Sequence, residues 1–173
     1  MKLKGKKIGI LVEDLYEDLE LWYPYYRLLE EGAEVKLIGP EAKVYKSKHG
    51  YPAEADLSAE EAKAGDFQGI VVPGGYAPDR LRRYPKILDL VRKIFENGGI
   101  VASICHGPWV LISANIMKGK QTTAMISLKD DLTNAGAIYL DKEVVVDNNL
   151  ITSRTPQDLP AFLPAIIAAL QNK

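Results

Sequence analysis

The order of apolar and amphipathic stretches predicts an α/β fold, a mostly parallel sheet with helices on both faces, and three observations carry that prediction. Lys7–Val12, Phe67–Val72 and Ile100–Ile104 are short, nearly unbroken apolar runs rich in Ile and Val, the pattern of strands buried on both faces. Between them lie stretches whose apolar residues recur at three- and four-residue spacings, as on one face of a helix. No linker interrupts the alternation. With 173 residues, 47% of them apolar, residues 1–173 are expected to form a single domain that buries roughly 70% of its unfolded surface without help from metals or disulfides.

In chain order, Lys7–Val12 is the first strand. Residues 17–31 follow as a helix with Leu19, Trp22, Tyr23, Tyr26 and Leu29 in phase and Gly32 as its stop. Ala33–Ile38 is a second strand, and Lys43–Leu57 reads as a polar hairpin inserted before the next unit. Phe67–Val72 ends abruptly at Pro73-Gly74-Gly75. A helix over Pro85–Glu96 stops at Asn97-Gly98-Gly99, and the strand Ile100–Ile104 runs straight into Cys105-His106-Gly107-Pro108 and a helical pattern over Trp109–Ala114. Then come a short strand near Gln121–Ala124, a helix over Ser127–Asn134, and two β-rich pieces, Glu143–Val146 and Leu150–Thr152. The last helix starts near Thr155, with Pro160 and Pro164 expected to bend it or delay its start. Trp22, Tyr23, Tyr25 and Tyr26 exceed what one buried face needs, so some are expected at a subunit interface.

Composition removes several function classes. With 22 basic against 23 acidic side chains, the chain has no global attraction for nucleic acid or anionic lipid. No window approaches the roughly 20 apolar residues of a spanning helix, and the apolar stretch near the amino terminus is too short for a signal peptide. A cytoplasmic location is expected. Cys105 is the sole cysteine, which excludes an internal disulfide and any CxxC motif. Only His49 and His106 offer imidazole, too few for a multi-histidine zinc site.

In sheets of this kind ligands bind beyond the carboxyl ends of the strands, and three such ends carry unusual residues. The turn at Cys105 from buried strand to helix has the logic of a nucleophile elbow; facing a helix N-terminus, its thiol is expected to ionise easily. A buried structural cysteine is the competing reading. Gly74 and Gly75 let main-chain amides approach a ligand, and the N–H groups of Gly75 and His106 are the natural oxyanion donors. The acidic run Glu13, Asp14, Asp18 and Glu20 reads as solvated charge at a helix start. Glu17 is set apart as the carboxyl that would serve Cys105 if it points into the crevice. His106 adjoins Cys105 in sequence, and only a strained elbow would bring its ring to the sulfur. His49 reads as a loop residue, and Arg80, Arg82 and Arg83 as a solvated or subunit-contact face.

The Glu17-Asp18 pair with VVPGGYAPDRLR, VASICHGPWVLISA, GKQTTA, NAGA, EVVVD and ITSRTP, in this order and spacing, resembles the PfpI family of intracellular cysteine peptidases. That family belongs to the class I glutamine amidotransferase-like superfamily, beside protein deglycases and cofactor-independent glyoxalases. The resemblance implies a flavodoxin-like three-layer sandwich with Cys105 as nucleophile, Glu17 bonded to its sulfur, Gly75 and His106 amides as the oxyanion hole, and His106 moving protons. It implies no cofactor or metal, and assembly into dimers and hexamers. In the peptidases a triad acid reaches across a subunit boundary; the matching residue here is Asp79, where the peptidase pattern has glutamate, one methylene or roughly 1.5 Å longer. Deglycase-like relatives carry aspartate there. Three functions follow as alternatives: hydrolysis of methylglyoxal-type carbonyls or their adducts, peptide hydrolysis with Asp79 of a second subunit, and redox sensing or chaperone-like stress protection through Cys105.

Overall fold

The computed structural model describes residues 1–173. Eleven strands and six helices follow in the order β1 (Lys7–Leu11), α1 (Asp18–Glu30), β2 (Glu34–Gly39), β3 (Val44–Lys46), β4 (Pro52–Glu54), β5 (Leu57–Ser58), β6 (Gly69–Val72), α2 (Ala77–Leu81), α3 (Pro85–Glu96), β7 (Ile100–Ile104), α4 (Pro108–Ser113), β8 (Gln121–Thr122), α5 (Lys129–Asn134), β9 (Ile138–Tyr139), β10 (Val144–Asp147), β11 (Leu150–Ser153) and α6 (Leu159–Gln171). Seven strands form the central sheet in the order β10-β11-β7-β6-β1-β2-β5. Every neighbouring pair in it is parallel except the edge hairpin β10–β11. This is the mostly parallel α/β architecture that the alternation predicts.

Every residue of β6 and β7 is buried, as their unbroken apolar text requires of strands with helices on both sides. In α3 the buried residues Ile87, Leu90, Val91 and Ile94 fall at i, i+3, i+4 and i+7, one stripe turned to the sheet. From β1 the chain moves outward to β2, and from β6 in the opposite direction to β7. Right-handed crossovers in opposite directions put α1 and α3 on opposite faces. The reversal lies between β1 and β6, so a crevice opens at the carboxyl ends of these strands.

Three short features were not expected from the sequence. The five-residue α2 follows the Pro-Gly-Gly turn, β9 pairs with β8 in a small parallel ribbon, and β5 adds an edge strand beside β2. The predicted hairpin is the antiparallel pair β3–β4. It docks on the loop after β1 through Leu15 N–H to Lys46 O at 2.7 Å and Lys48 N–H to Tyr16 O at 3.0 Å, which carries Lys48 to the crevice. A 3-10 turn at Pro156–Asp158 precedes α6, so the prolines delay the helix while Pro164 is tolerated inside it. No helix is long and apolar enough to cross a membrane.

Candidate active site

Cys105 caps β7 with φ of +61°, a left-handed conformation that costs a side-chain-bearing residue roughly 1–3 kcal/mol. The elbow is clamped on both sides. Cys105 N–H donates to Ser153 O and Cys105 O accepts from Met125 N–H, each at 3.1 Å. The bend also turns the adjacent ring back, so that His106 Nδ1 lies 3.2 Å from Cys105 Sγ, a contact that a regular helix would forbid between neighbours.

The turn after β6 meets the elbow at very short range. A Cβ on Gly74 would lie 2.5 Å from Glu20 Oε2 and 2.7 Å from Cys105 Cβ; on Gly75, at φ +76°, it would lie 2.5 Å from Glu17 N and Leu15 O. Glycine is therefore required at both positions. The backbone amides of Gly75 and His106 act on the sulfur to favour its charged form, an arrangement suited to holding an oxyanion. The Gly74 amide is engaged elsewhere, donating to Glu20 Oε2 at 2.7 Å.

That bond exposes a correction. The carboxyl facing Cys105 is that of Glu20, not Glu17. Glu17 is the N-cap of α1 and its Oε2 accepts from Glu20 N–H at 2.9 Å, while its Oε1 lies 3.9 Å from Lys48 Nζ. One turn further in, Glu20 is fully buried and its Oε1 has no partner. Helical phase explains the exchange: an N-cap side chain folds over the helix end, whereas Glu20 shares the buried stripe with Leu21, Pro24 and Leu28. The spacing in the sequence puts Leu19, Tyr23, Tyr26 and Leu29 on the packed face, and the structure corrects that phase: all four are exposed, and no local signal marks Glu20. The solvated reading also fails for Glu13, which is buried, and for Asp18, which accepts from Ser47 Oγ at 2.6 Å and pairs with His49 Nδ1 at 2.8 Å.

Burial, and then the neighbouring charge of Glu17, raises the Glu20 carboxyl to about 8. Burial pushes the Cys105 thiol up to about 12, with the charge of Glu20 adding to it and the Gly75 and His106 amides opposing. Burial thus works against the easily ionised thiolate expected from the sequence, and a thiol so placed gives its proton to a base. His106 is positioned to take it, since burial and then the charge of Lys48 hold its imidazole below the ordinary value and hence neutral. These groups share a cleft of about 420 Å³ lined also by Leu15, Tyr76, Met125 and Pro156. Sequence reasoning missed this apolar rim, because its members are far apart along the chain and carry no chemistry of their own.

Asp79 lies on α2, where its carboxylate pairs with Arg83 one turn later. Arg82 Nε donates to Ser113 Oγ at 3.0 Å. His49 stays on the hairpin with Asp18. Nowhere do three or more His, Cys, Asp or Glu side chains gather as metal ligands would.

Residues 6–169 match the DJ-1/PfpI family. The chain belongs to that family. Deglycase PfpI of Pyrococcus furiosus is 45% identical over 95% of this chain and 99% of its own length. YraA of Bacillus subtilis, named as a candidate cysteine protease, is 44% identical over 91% of this chain and 94% of its own. Among solved structures, DJ-1beta of Drosophila melanogaster superposes with a TM-score of 0.90 at 30% identity over 97% of this chain and 91% of that one. A two-domain protein of Anabaena variabilis with DJ-1/ThiJ/PfpI-like and ferritin-like domains reaches 0.94 at 45% identity, covering 95% of this chain and 48% of that one. The fold of this DJ-1/PfpI chain, helices on a mostly parallel sheet, is the flavodoxin-like sandwich that the resemblance implied.

Proposed function

We propose that the protein is a cysteine-dependent hydrolase acting on methylglyoxal-type carbonyls and the adducts they leave on amines. The observation that carries this reading is the convergence of the Gly75 and His106 amides, the His106 ring and the Glu20 carboxyl on one sulfur, in a cleft sized for a small molecule.

Sγ adds to the aldehyde carbon as the thiol proton passes to His106 Nδ1, and the carbonyl oxygen takes its charge between the two amides before regaining a proton. With an amine adduct, the thiol displaces the amine from the hemiaminal carbon and reaches the same thiohemiacetal. A proton then leaves the carbon bearing sulfur and another arrives at the neighbouring carbonyl carbon, giving a thioester of a 2-hydroxy acid. One carbon is oxidised as its neighbour is reduced, so no outside oxidant is needed. Glu20, with its pKa near working pH, is the group suited to move these protons. Water cleaves the thioester, releasing the acid and restoring the thiol.

The test compares the protein with Cys105→Ala on methylglyoxal and on methylglyoxal-treated peptides. Loss of turnover to background is expected, and full activity in Cys105→Ala would falsify the proposal. Peptide hydrolysis is the second reading, favoured by the name of the YraA relative; it draws on Asp79 of a second copy and predicts casein cleavage only by an assembled form.

A further inference from the structure

The imidazole of His106 has two ring nitrogens, and the fold offers each a partner. Nδ1 faces Cys105 Sγ at 3.2 Å and Nε2 faces Ser127 Oγ at 3.4 Å. Ser127 sits in the 3-10 turn Ile126–Leu128, which is pinned beneath the elbow by Met125 N–H donating to Cys105 O and by the buried Leu128. From a third side Trp109 packs its ring edge-on to His106, with centroids 5.2 Å apart, and its indole N–H donates to Asp131 at 2.9 Å. The charged group felt by the ring is Lys48; the ionisable groups beside it are Cys105 and, beyond the sulfur, Glu20. Neither ring nitrogen bonds a carboxylate of this chain.

We propose that Ser127 is the positioning residue for His106, its hydroxyl oxygen accepting Nε2–H so that the Nδ1 lone pair points at the thiol. This rests on the reading that His106 takes the Cys105 proton. A neutral imidazole carries one N–H. A thiol facing Nδ1 needs a lone pair there, so the hydrogen is on Nε2, and Ser127 Oγ is the acceptor in reach. After proton transfer Nδ1–H donates to the sulfur while Nε2–H keeps its bond to Ser127, so one arrangement serves both states. In the usual triad this third place belongs to a carboxylate. A hydroxyl orients the ring equally but, being neutral, favours the imidazolium less. The base is then complete within one chain, and Asp79, already paired with Arg83, is not needed for it.

Ser127 is solvent-exposed, so its replacement should leave the fold intact. Ring-nitrogen NMR of ¹⁵N-histidine-labelled protein, assigned with a His49→Asn variant, reads the tautomer directly. The expected result is Nε2–H for His106 in the parent and a mixture of tautomers in Ser127→Ala. In Ser127→Ala, kcat on methylglyoxal falls about tenfold with KM within about twofold, and Ser127→Thr restores both tautomer and kcat. Ser127→Asp moves the acidic limb of the pH profile upward, since a carboxylate stabilises the imidazolium. An unchanged tautomer with unchanged kcat in Ser127→Ala, or a loss that threonine does not rescue, overturns the assignment. Failure of the functional reading is separate: it shows as turnover surviving in Cys105→Ala, and the resting tautomer is read without any turnover.

Discussion

Glu20 decides more about this site than any residue except Cys105. A carboxyl raised from 4.5 to about 8 on folding holds a proton in the native state that the unfolded chain has released. Between those values the folded protein binds more protons, so stability falls as pH rises across that window. At roughly 1.4 kcal/mol per pKa unit the penalty above pH 8 is on the order of 5 kcal/mol. Glu20→Gln should therefore melt close to the parent near pH 4.5 and well above it at pH 8. Calorimetry at both pH values checks this, and a gap that does not change with pH would contradict it. Turnover should move the other way. Parent kcat is expected to rise toward pH 8 as Glu20 ionises, because the proton leaving the carbon goes to its carboxylate, and Glu20→Gln to lose roughly 10²–10⁴-fold, in proportion to a proton-transfer role. Sequence reading chose Glu17 from the same acidic run because both carboxyls lie near the strand end. Only the phase of α1 tells a cap from a buried side chain.

The long elements were predicted closely, and the elements missed, α2, β5 and β9, are among the shortest. The periods within Pro85–Glu96 and Ile100–Ile104 span several turns or several pleats, so the pattern alone sets their bounds. The five residues of α2 cover barely more than one turn, and β5 and β9 have two residues each, too few for any periodicity. The turn between β6 and α2 is where element geometry becomes chemistry. Gly75→Ala places a methyl group against backbone on the facing loop and so pushes the Gly75 amide away from the sulfur. A loss of roughly 10²–10³ in kcat is expected, measured beside a circular dichroism spectrum that stays native. Packed on α1 and the sheet, α6 buries Leu159, Phe162, Leu163, Ile166, Ile167 and Leu170. Phe162→Ala should cost about 3–5 kcal/mol in urea unfolding while leaving the spacing of the site unaltered; a loss under about 1 kcal/mol would mean that α6 is not part of the cooperative core.

At the scale of the molecule, the reversal of chain direction between β1 and β6 gathers three loops at one end of the sheet, and every group of the site comes from these loops or from what docks on them. Tyr23 and Tyr26 remain exposed along α1, part of the aromatic surplus that the sequence assigned to a subunit interface. If orientation of His106 is internal to the chain, methylglyoxal turnover per chain should stay constant on dilution through any dissociation seen by sedimentation. A specific activity that falls in step with dissociation would instead give Asp79 of a second copy the orienting role. The sequence by itself determined the layered architecture, the elbow cysteine and its glycine turn, because hydrophobic period and the steric freedom of glycine are local properties written into consecutive residues. Tertiary structure alone decided that Glu20 rather than Glu17 meets the sulfur, that burial pushes the thiol's pKa up, and that Ser127 stands behind His106. Those outcomes depend on which side chains from distant segments are taken out of water together, and desolvation has no signature in a run of neighbouring letters.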